Sequence, residues 1–352
     1  MTKRIAVVGA GALGGYVGGY LAHHGHDVTL IDMWPEHIEA IRARGLELDG
    51  VTPEEKFTVT QAKTMHLTEV QRLAKEKPID IAFVSVKSYD TEWATLLIKP
   101  YLAPDGYVVS LQNCLNEEKI AGIVGWGKTL GVVASIISVN LYEAGRIRRT
   151  AEKGGDKHTV FRVGEVNGVV SKRVEELVKM FSAIDSSKPT TNLWGERWTK
   201  LTQNGMRNGV SAATGFTGSQ CDNNTALRRF AIQLGGESVK VGRALGYDIE
   251  KLGKLDPDRL VMAADGHADA LAEIEELMMN RTKGNPRAGI QRPSMAQDMH
   301  KGRRTEIQFM NGFIAEKGKL VGIPTPAHEK LTEVVTKVER GELPQSPANL
   351  GG

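Results

Sequence analysis

The stretch Ile5-Ala-Val-Val-Gly9-Ala-Gly11-Ala-Leu-Gly14 stands near the start of the chain, and Asp27-Val-Thr-Leu-Ile-Asp32 follows it. Ile5 to Val8 is apolar without alternation, as expected of a strand buried on both faces. Gly9 to Gly14 reads as a turn entering a helix, and Asp27 to Asp32 as the next strand, which makes a βαβ opening. The three glycines serve different ends: one makes the tight turn, one lets the backbone approach a pyrophosphate closely, and one lets the helix pack closely on the strand. The helix N-terminus adds unpaired amides for the phosphates. A glycine-rich turn without a ligand would leave Asp32, at the end of the second strand, unexplained. The stretch therefore predicts a dinucleotide site containing Gly9, Gly11, Gly14 and Asp32.

Asp32 also bears on which dinucleotide. A carboxylate there accepts hydrogen bonds from a ribose diol and repels a 2′-phosphate, so NAD is favoured over NADP. NADP stays open, because Arg42 and Arg44 lie downstream. They read either as the solvated face of a helix or as partners for that phosphate.

Outward from this unit, strands are expected at Ile79 to Val86, Tyr107 to Leu111 and Thr129 to Ala134, with helical patterns between them such as Thr91 to Leu102. This alternation builds a parallel sheet. From Ser138 to Val166 glycine-punctuated β segments suggest an antiparallel extension of that sheet, and a helix from Ser171 to Ser182 closes the domain. The polar segment Asp185 to Asn192 reads as a connection. Helical periodicity then dominates: Trp194 to Ala213, Thr225 to Leu245, Asp256 to Met279, Ser294 to Lys317 and Ala327 to Arg340. Gly246 and Gly341 are placed as C-terminal stops. The expected class is α/β, an N-terminal Rossmann-type parallel-sheet domain (1–187) followed by an all-helical C-terminal domain (188–340). Residues 341–352, rich in Pro, Gly and Ser toward the end, read as a disordered tail.

Composition narrows the function classes. At 352 residues and a formal charge of +3, without long basic blocks interleaved with aromatics, the chain does not resemble a nucleic-acid binder. Cys114 and Cys221 lie far apart with no metal-ligand spacing, which argues against both a disulfide framework and a metal site and suits a reducing cytoplasm. The glycines between Ile5 and Leu21 and the histidines after them argue against a secretory signal, and no stretch is long and apolar enough to span a bilayer. The expected partner is a small-molecule substrate, with neither nucleic acid nor membrane; a homodimer is compatible with the sequence.

A second pattern carries chemistry. Lys200, Asn204 and Asn208 recur every fourth residue, so on one helix they form a polar stripe. Such a stripe is solvated surface or, in a closed site, a means to hold a carbonyl and protonate it. With the glycine loop, four further blocks resemble the ketopantoate reductase (2-dehydropantoate 2-reductase) family: Val84-Ser-Val-Lys-Ser88; Leu111-Gln-Asn113; Trp198-Thr-Lys200 through Asn204 to Asn208; and Pro293-Ser-Met-x-Gln-Asp298 running to Thr305-Glu306-Ile and Asn311-Gly312.

The resemblance implies a two-domain enzyme that transfers hydride between a nicotinamide cofactor and a 2-keto acid/2-hydroxy acid pair, the reactants meeting in the cleft between the domains. It implies Lys200 as general acid with Glu306 as its carboxylate partner. Asn113, Asn204 and Asn208 would orient cofactor and substrate, Lys87 would contact the cofactor, and Ser294 would receive the substrate carboxylate. Independently, an ammonium suits a developing alkoxide, and a buried ammonium needs a carboxylate nearby. Ser294, Asp298 and Glu306 are spaced so that one helical face can carry all three; for Asp298 a capping role reads as well as a direct one.

Two departures stand out. The family usually has glycine after Leu-Gln-Asn and a basic residue after its second strand, where this chain has Cys114 and Asp32. A side chain at 114 can fill space beside the substrate, and NAD would suit running the reaction oxidatively. The loop from Asn280 to Arg292 is long and basic; Arg287 and Arg292 read as a solvated surface or as a clamp on an anionic substrate. The alternatives are a dehydrogenase of this fold acting on an aromatic or branched hydroxylated metabolite, and a non-catalytic dinucleotide sensor, which would have no use for Lys200.

Overall fold

The computed structural model describes residues 2–281 and 292–351. Contacts divide the chain into two units, Met1–Leu193 and Trp194–Gly352. The division falls after Leu193, beyond the polar segment expected to mark it.

The first unit contains strands β1 (Arg4–Val8), β2 (Asp27–Asp32), β3 (Leu46–Asp49), β4 (Phe57–Val59), β5 (Lys63–His66), β6 (Ile79–Val84), β7 (Leu102–Ser110), β8 (Thr129–Ala134), β9 (Val139–Glu143), β10 (Arg146–Arg149), β11 (Phe161–Glu165) and β12 (Ser187–Pro189). Its helices are α1 (Ala12–His23), α2 (Pro35–Arg44), α3 (Thr91–Ile98), α4 (Glu117–Val124) and α5 (Lys172–Ser182), the last capped by the Ser171 hydroxyl, which accepts from the Val174 N–H. The main sheet has the order β12-β11-β8-β7-β6-β1-β2-β5. Successive residues of β1 enter opposite cores, Ile5 and Val7 on one face and Ala6 and Val8 on the other. Covering both faces is why β1 and β6 are unbroken apolar runs.

The antiparallel extension expected for Ser138 to Val166 is confined to β11, which pairs antiparallel with β8. β9 and β10 instead join β3 and β4 in a separate four-stranded sheet. The reason lies in α1, whose glycines let backbone approach on two sides. A Cβ at Gly18 would lie 2.6 Å from Leu30, in the main sheet. At Gly15 it would lie 2.5 Å from Ile147, and at Gly19 3.0 Å from Leu46 and Leu48, all in the second sheet. Glycine inside a helix costs about 1 kcal/mol relative to alanine. Here that cost is offset by wedging α1 between two sheets.

Asp185 to Asn192 is also more than a connection, since β12 lies within it and pairs with β11. Asp185 forms a buried ion pair with Arg149 at 2.6 Å. Burial by itself would raise the Asp185 pKa, but the Ser186 and Gly154 amides and the Arg149 guanidinium together hold it below the usual carboxylate range.

The second unit consists, among the described residues, of helices α6 (Leu193–Gly205), α7 (Asn208–Thr214), α8 (Gly218–Asn223), α9 (Thr225–Ala244), α10 (Pro257–Ala264), α11 (Ala268–Asn280), α12 (Ser294–His300), α13 (Ile307–Val321) and α14 (Pro326–Glu339). Three of the long helices expected here are each broken in two. Trp194 to Ala213 divides at Met206 and Arg207, Asp256 to Met279 at Gly266 (φ 89°), and Ser294 to Lys317 after Gly302 (φ 61°). Left-handed glycine ends a helix at no steric cost. The expected stops at Gly246 and Gly341 have φ of 83° and 75°.

The final residues differ from the expected disordered tail. Gln345 donates to the Ala212 carbonyl at 2.7 Å, the Ser346 N–H to Ala213 at 3.1 Å, and Leu350 is buried. The last carbonyls of α7 lack partners within the helix and supply the docking points. Among the described residues no helix is long and apolar enough to cross a membrane.

Candidate active site

In the first unit the loop after β1 has the three glycine environments that a phosphate cradle requires. Gly9 has φ 95°, and a Cβ there would lie 2.8 Å from the Ser85 backbone. At Gly14 a Cβ would lie 2.1 Å from the Gly9 carbonyl oxygen, so helix and loop are in direct contact. At Gly11 it would meet nothing within 4 Å. Space at Gly11 beside the N-terminus of α1 therefore fits a pyrophosphate approaching the backbone.

Asp32 ends β2, half-buried, with Oδ1 accepting the Trp34 N–H at 3.0 Å. Among the described residues no donor reaches Oδ2. Arg42 pairs with Glu39 at 2.6 Å and with Glu69, while Arg44 pairs with Glu47 at 3.5 Å and reaches the Ala144 carbonyl.

Lys87 and Asn113 follow β6 and β7 and are half-buried. The loops that carry them are stitched to their neighbours. The Ser85 N–H donates to Val8 at 2.9 Å, the Leu111 N–H to Val84 at 2.9 Å, and the Gln112 amide to the Val86 carbonyl at 2.8 Å. Glycine loop, Lys87 and Asn113 thus follow one another along the carboxyl edge of the sheet. Cys114 is buried with φ 63°, in the left-handed region that favours glycine.

His37, on α2, has no counterpart among the residues expected from the sequence, because a lone histidine in an amphipathic helix has no motif. Fully buried, it donates from Nε2 to the Ala10 carbonyl at 2.9 Å and accepts the Gly145 N–H on Nδ1 at 2.9 Å. It thereby ties the glycine loop to the turn between β9 and β10. Burial pushes its pKa down, so the neutral ring is the resident form.

In the second unit α6 is oriented by its buried face. Trp198 Nε1 donates to the Ser238 carbonyl at 2.9 Å, and the Thr202 and Ser238 hydroxyls meet at 2.7 Å. Lys200 and Asn204 are half-buried. The continuous stripe is interrupted, because Asn208 begins α7 after the break. At that break Asn311 donates to the Gly205 carbonyl at 3.0 Å and to Nδ1 of His328 at 3.1 Å. His328 is in turn fixed by the Leu234 carbonyl at 2.9 Å, and burial lowers its pKa to about 4. The carbonyl orphaned at the end of α6 is thus satisfied by α13.

Ser294, Asp298 and Glu306 do not share one helical face, because the chain turns after α12. Ser294 opens α12, which packs against α7, and Glu306 stands at the N-terminus of α13, buried to 5% exposure. A carboxylate is favoured at that end of the helix dipole. A Cβ at Gly209 would lie 3.2 Å from Ile307, so the start of α7, where Asn208 stands, abuts the start of α13, where Glu306 stands. Arg292 is exposed, and Arg287 lies outside the described residues. Among the described residues no three His, Cys, Asp or Glu side chains gather as a metal site.

Known proteins match this arrangement over both units. Residues 5–161 match the family model described as Ketopantoate reductase PanE/ApbA, and residues 192–339 match Ketopantoate reductase PanE/ApbA C terminal. The 2-dehydropantoate 2-reductase of Pyrococcus horikoshii is 31% identical, over 96% of this chain and 97% of the relative. A PanE/ApbA family ketopantoate reductase from Ralstonia eutropha superposes with a TM-score of 0.77 at 26% identity, covering 96% of this chain and 99% of that one. A D-mandelate dehydrogenase solved with NADH and anilino(oxo)acetate shares the fold, with a TM-score of 0.76 at 22% identity over 96% of this chain and 99% of that one. The chain is a nicotinamide-dependent oxidoreductase of the keto acid/hydroxy acid class, acting on a small-molecule substrate. It belongs to the ketopantoate reductase family.

Proposed function

We propose that the enzyme uses NAD(H) in preference to NADP(H), and that Lys200 is the proton donor in reduction of a 2-keto acid. The observation that carries the cofactor reading is Asp32, a half-buried carboxylate with one oxygen held by Trp34 and the other facing no protein donor among the described residues. A ribose diol would satisfy it. A 2′-phosphate would be repelled, and the arginines that could offset this, Arg42 and Arg44, are engaged with Glu39, Glu69 and Glu47.

The bound nicotinamide supplies the hydride equivalent. Gly11 would give its pyrophosphate room beside the first amides of α1. Gly9, whose own N–H donates to the Ile31 carbonyl at 2.9 Å, and Gly14 would keep the loop close-packed. Lys87 and Asn113 would contact the rest of the cofactor. As hydride reaches the ketone carbon, the carbonyl π pair moves onto oxygen and takes a proton from the Lys200 ammonium. Glu306 balances the lysine's charge, Asn204 and Asn208 orient the substrate, and Ser294 receives its carboxylate. In the reverse direction Lys200, as the amine, takes the hydroxyl proton.

The test is steady-state turnover of 2-dehydropantoate and other 2-keto acids with both cofactors. NADH should exceed NADPH in kcat/KM by about a hundredfold, of the order expected for a charge repulsion of a few kcal/mol. Asp32→Ser should narrow that ratio. Equal use of NADPH by the unaltered enzyme would refute the cofactor reading.

A further inference from the structure

Resting on that reading, we infer that Ile136 contacts the side chain of the substrate, and that this side chain is apolar at its far end, branched aliphatic or aromatic. Asp32 after β2 and the glycine loop after β1 give the cofactor a direction. Its nicotinamide end continues over β6 and β7, and the next carboxyl end in the sheet order is that of β8. Neighbouring strands lie about 4.8 Å apart, so the β8 end is one small step past β7. A substrate must sit beside the nicotinamide to receive hydride, and the segment after β8 is Ser135 to Ser138.

This segment carries two costs at one residue. Ile136 has φ 54°, which is an outlier for a β-branched side chain, and it is 66% exposed. Among the described residues the non-glycine positions with positive φ are Cys114, Ile136 and Ser138, all just beyond the adjacent strands β7 and β8. The conformation is imposed by its surroundings. The Ser135 N–H donates to Val160 at 2.8 Å, the Thr150 N–H donates to the Ser138 carbonyl at 2.9 Å, and the Ser138 and Thr150 hydroxyls meet at 2.8 Å. Ile137 is buried in the core beside them. Strain held in this way concentrates at ligand sites. An apolar side chain propped outward at the substrate end of the cofactor edge is suited to an apolar ligand group.

The experiment compares kcat/KM for phenylglyoxylate and 3-methyl-2-oxobutanoate with that for 2-dehydropantoate, which ends in a hydroxyl, in the unaltered enzyme, Ile136→Gly and Ile136→Asn. Glycine and asparagine both accept the left-handed backbone, so Tm should stay within about 2 °C or rise. The preference for the apolar substrates should fall about tenfold or more in Ile136→Asn, the size expected for one side-chain contact in a pocket. A ratio unchanged within about twofold would overturn the inference, as would a large loss of Tm in both variants, which would mark Ile136 as structural. Inactivity of the unaltered enzyme toward every 2-keto acid would remove the parent reading and this one together, and is recognisable without any variant.

Discussion

The glycine loop of the first unit and the α6–α7 elbow of the second prepare their chemistry in opposite ways. The loop works through missing side chains. Gly9 and Gly14 let backbone meet backbone, and Gly11 leaves open space beside the start of α1. The elbow works through side chains placed by interrupting helices, with Asn311 closing the gap at Gly205 and α13 starting at Glu306 beside α7. A site made of backbone tolerates no added atoms, whereas a site made of side chains depends on which helix each one stands on.

That contrast can be broken most forcefully at Lys200. Lys200→Ala should lower kcat by about 10²–10⁴, the range for loss of a general acid, while NADH titration by fluorescence still shows binding. Retention of full turnover would remove Lys200 from the mechanism. Next come the paired variants Gly14→Ala and Gly11→Ala. The first forces a methyl to 2.1 Å from the Gly9 oxygen and should cost about 2–3 kcal/mol in urea unfolding. The second meets no protein atom, so it should leave stability near the parent and raise the NADH Kd at least about tenfold. If both variants lost stability equally, the distinction between a packed and an open glycine would fail.

The smallest effect is expected at His37. Its pKa is lowered in the folded protein, so the neutral form is favoured by folding. The contribution is fully present above the unfolded value, about 6.5, and is lost as pH falls through the folded value. A proton on Nδ1 would face the Gly145 N–H donor and release the glycine loop. NADH affinity in the parent should therefore weaken only as pH falls through the folded-state value, which lies below the ordinary histidine value, and His37→Gln should be weaker throughout with a flatter pH profile. Affinity rather than Tm is the proper readout, because His328, lowered to about 4, gives stability the same sign of slope.

Much of the first unit could be read directly. Ile5 to Val8 and Asp27 to Asp32 are strands whose apolar runs are imposed by cores on both faces, and Thr129 to Ala134 is a buried strand as expected. The loop glycines announce themselves through the steric freedom they alone possess. Gly246 and Gly341 were legible as stops on the same ground. Gly266 and Gly302 carried the same signal, but apolar periodicity continues across them, so they read as helix interior. The break at Met206–Arg207 is preceded by Gly205, which reads as helix interior, and its stabilising donor, Asn311, lies more than a hundred residues away.

The sequence alone determined the glycine loop, the acid ending the second strand and the parallel core of the sheet, because these follow from steric and periodic rules acting within a few residues. Only the tertiary structure decided that α1 is wedged between two sheets, that His37 holds the loop, that the polar stripe is split between helices, that the C-terminal residues dock on α7, and that Ile136 is strained and turned outward. Each of these depends on a partner far along the chain, and periodicity carries no information about which distant group will fill a hydrogen bond or a gap.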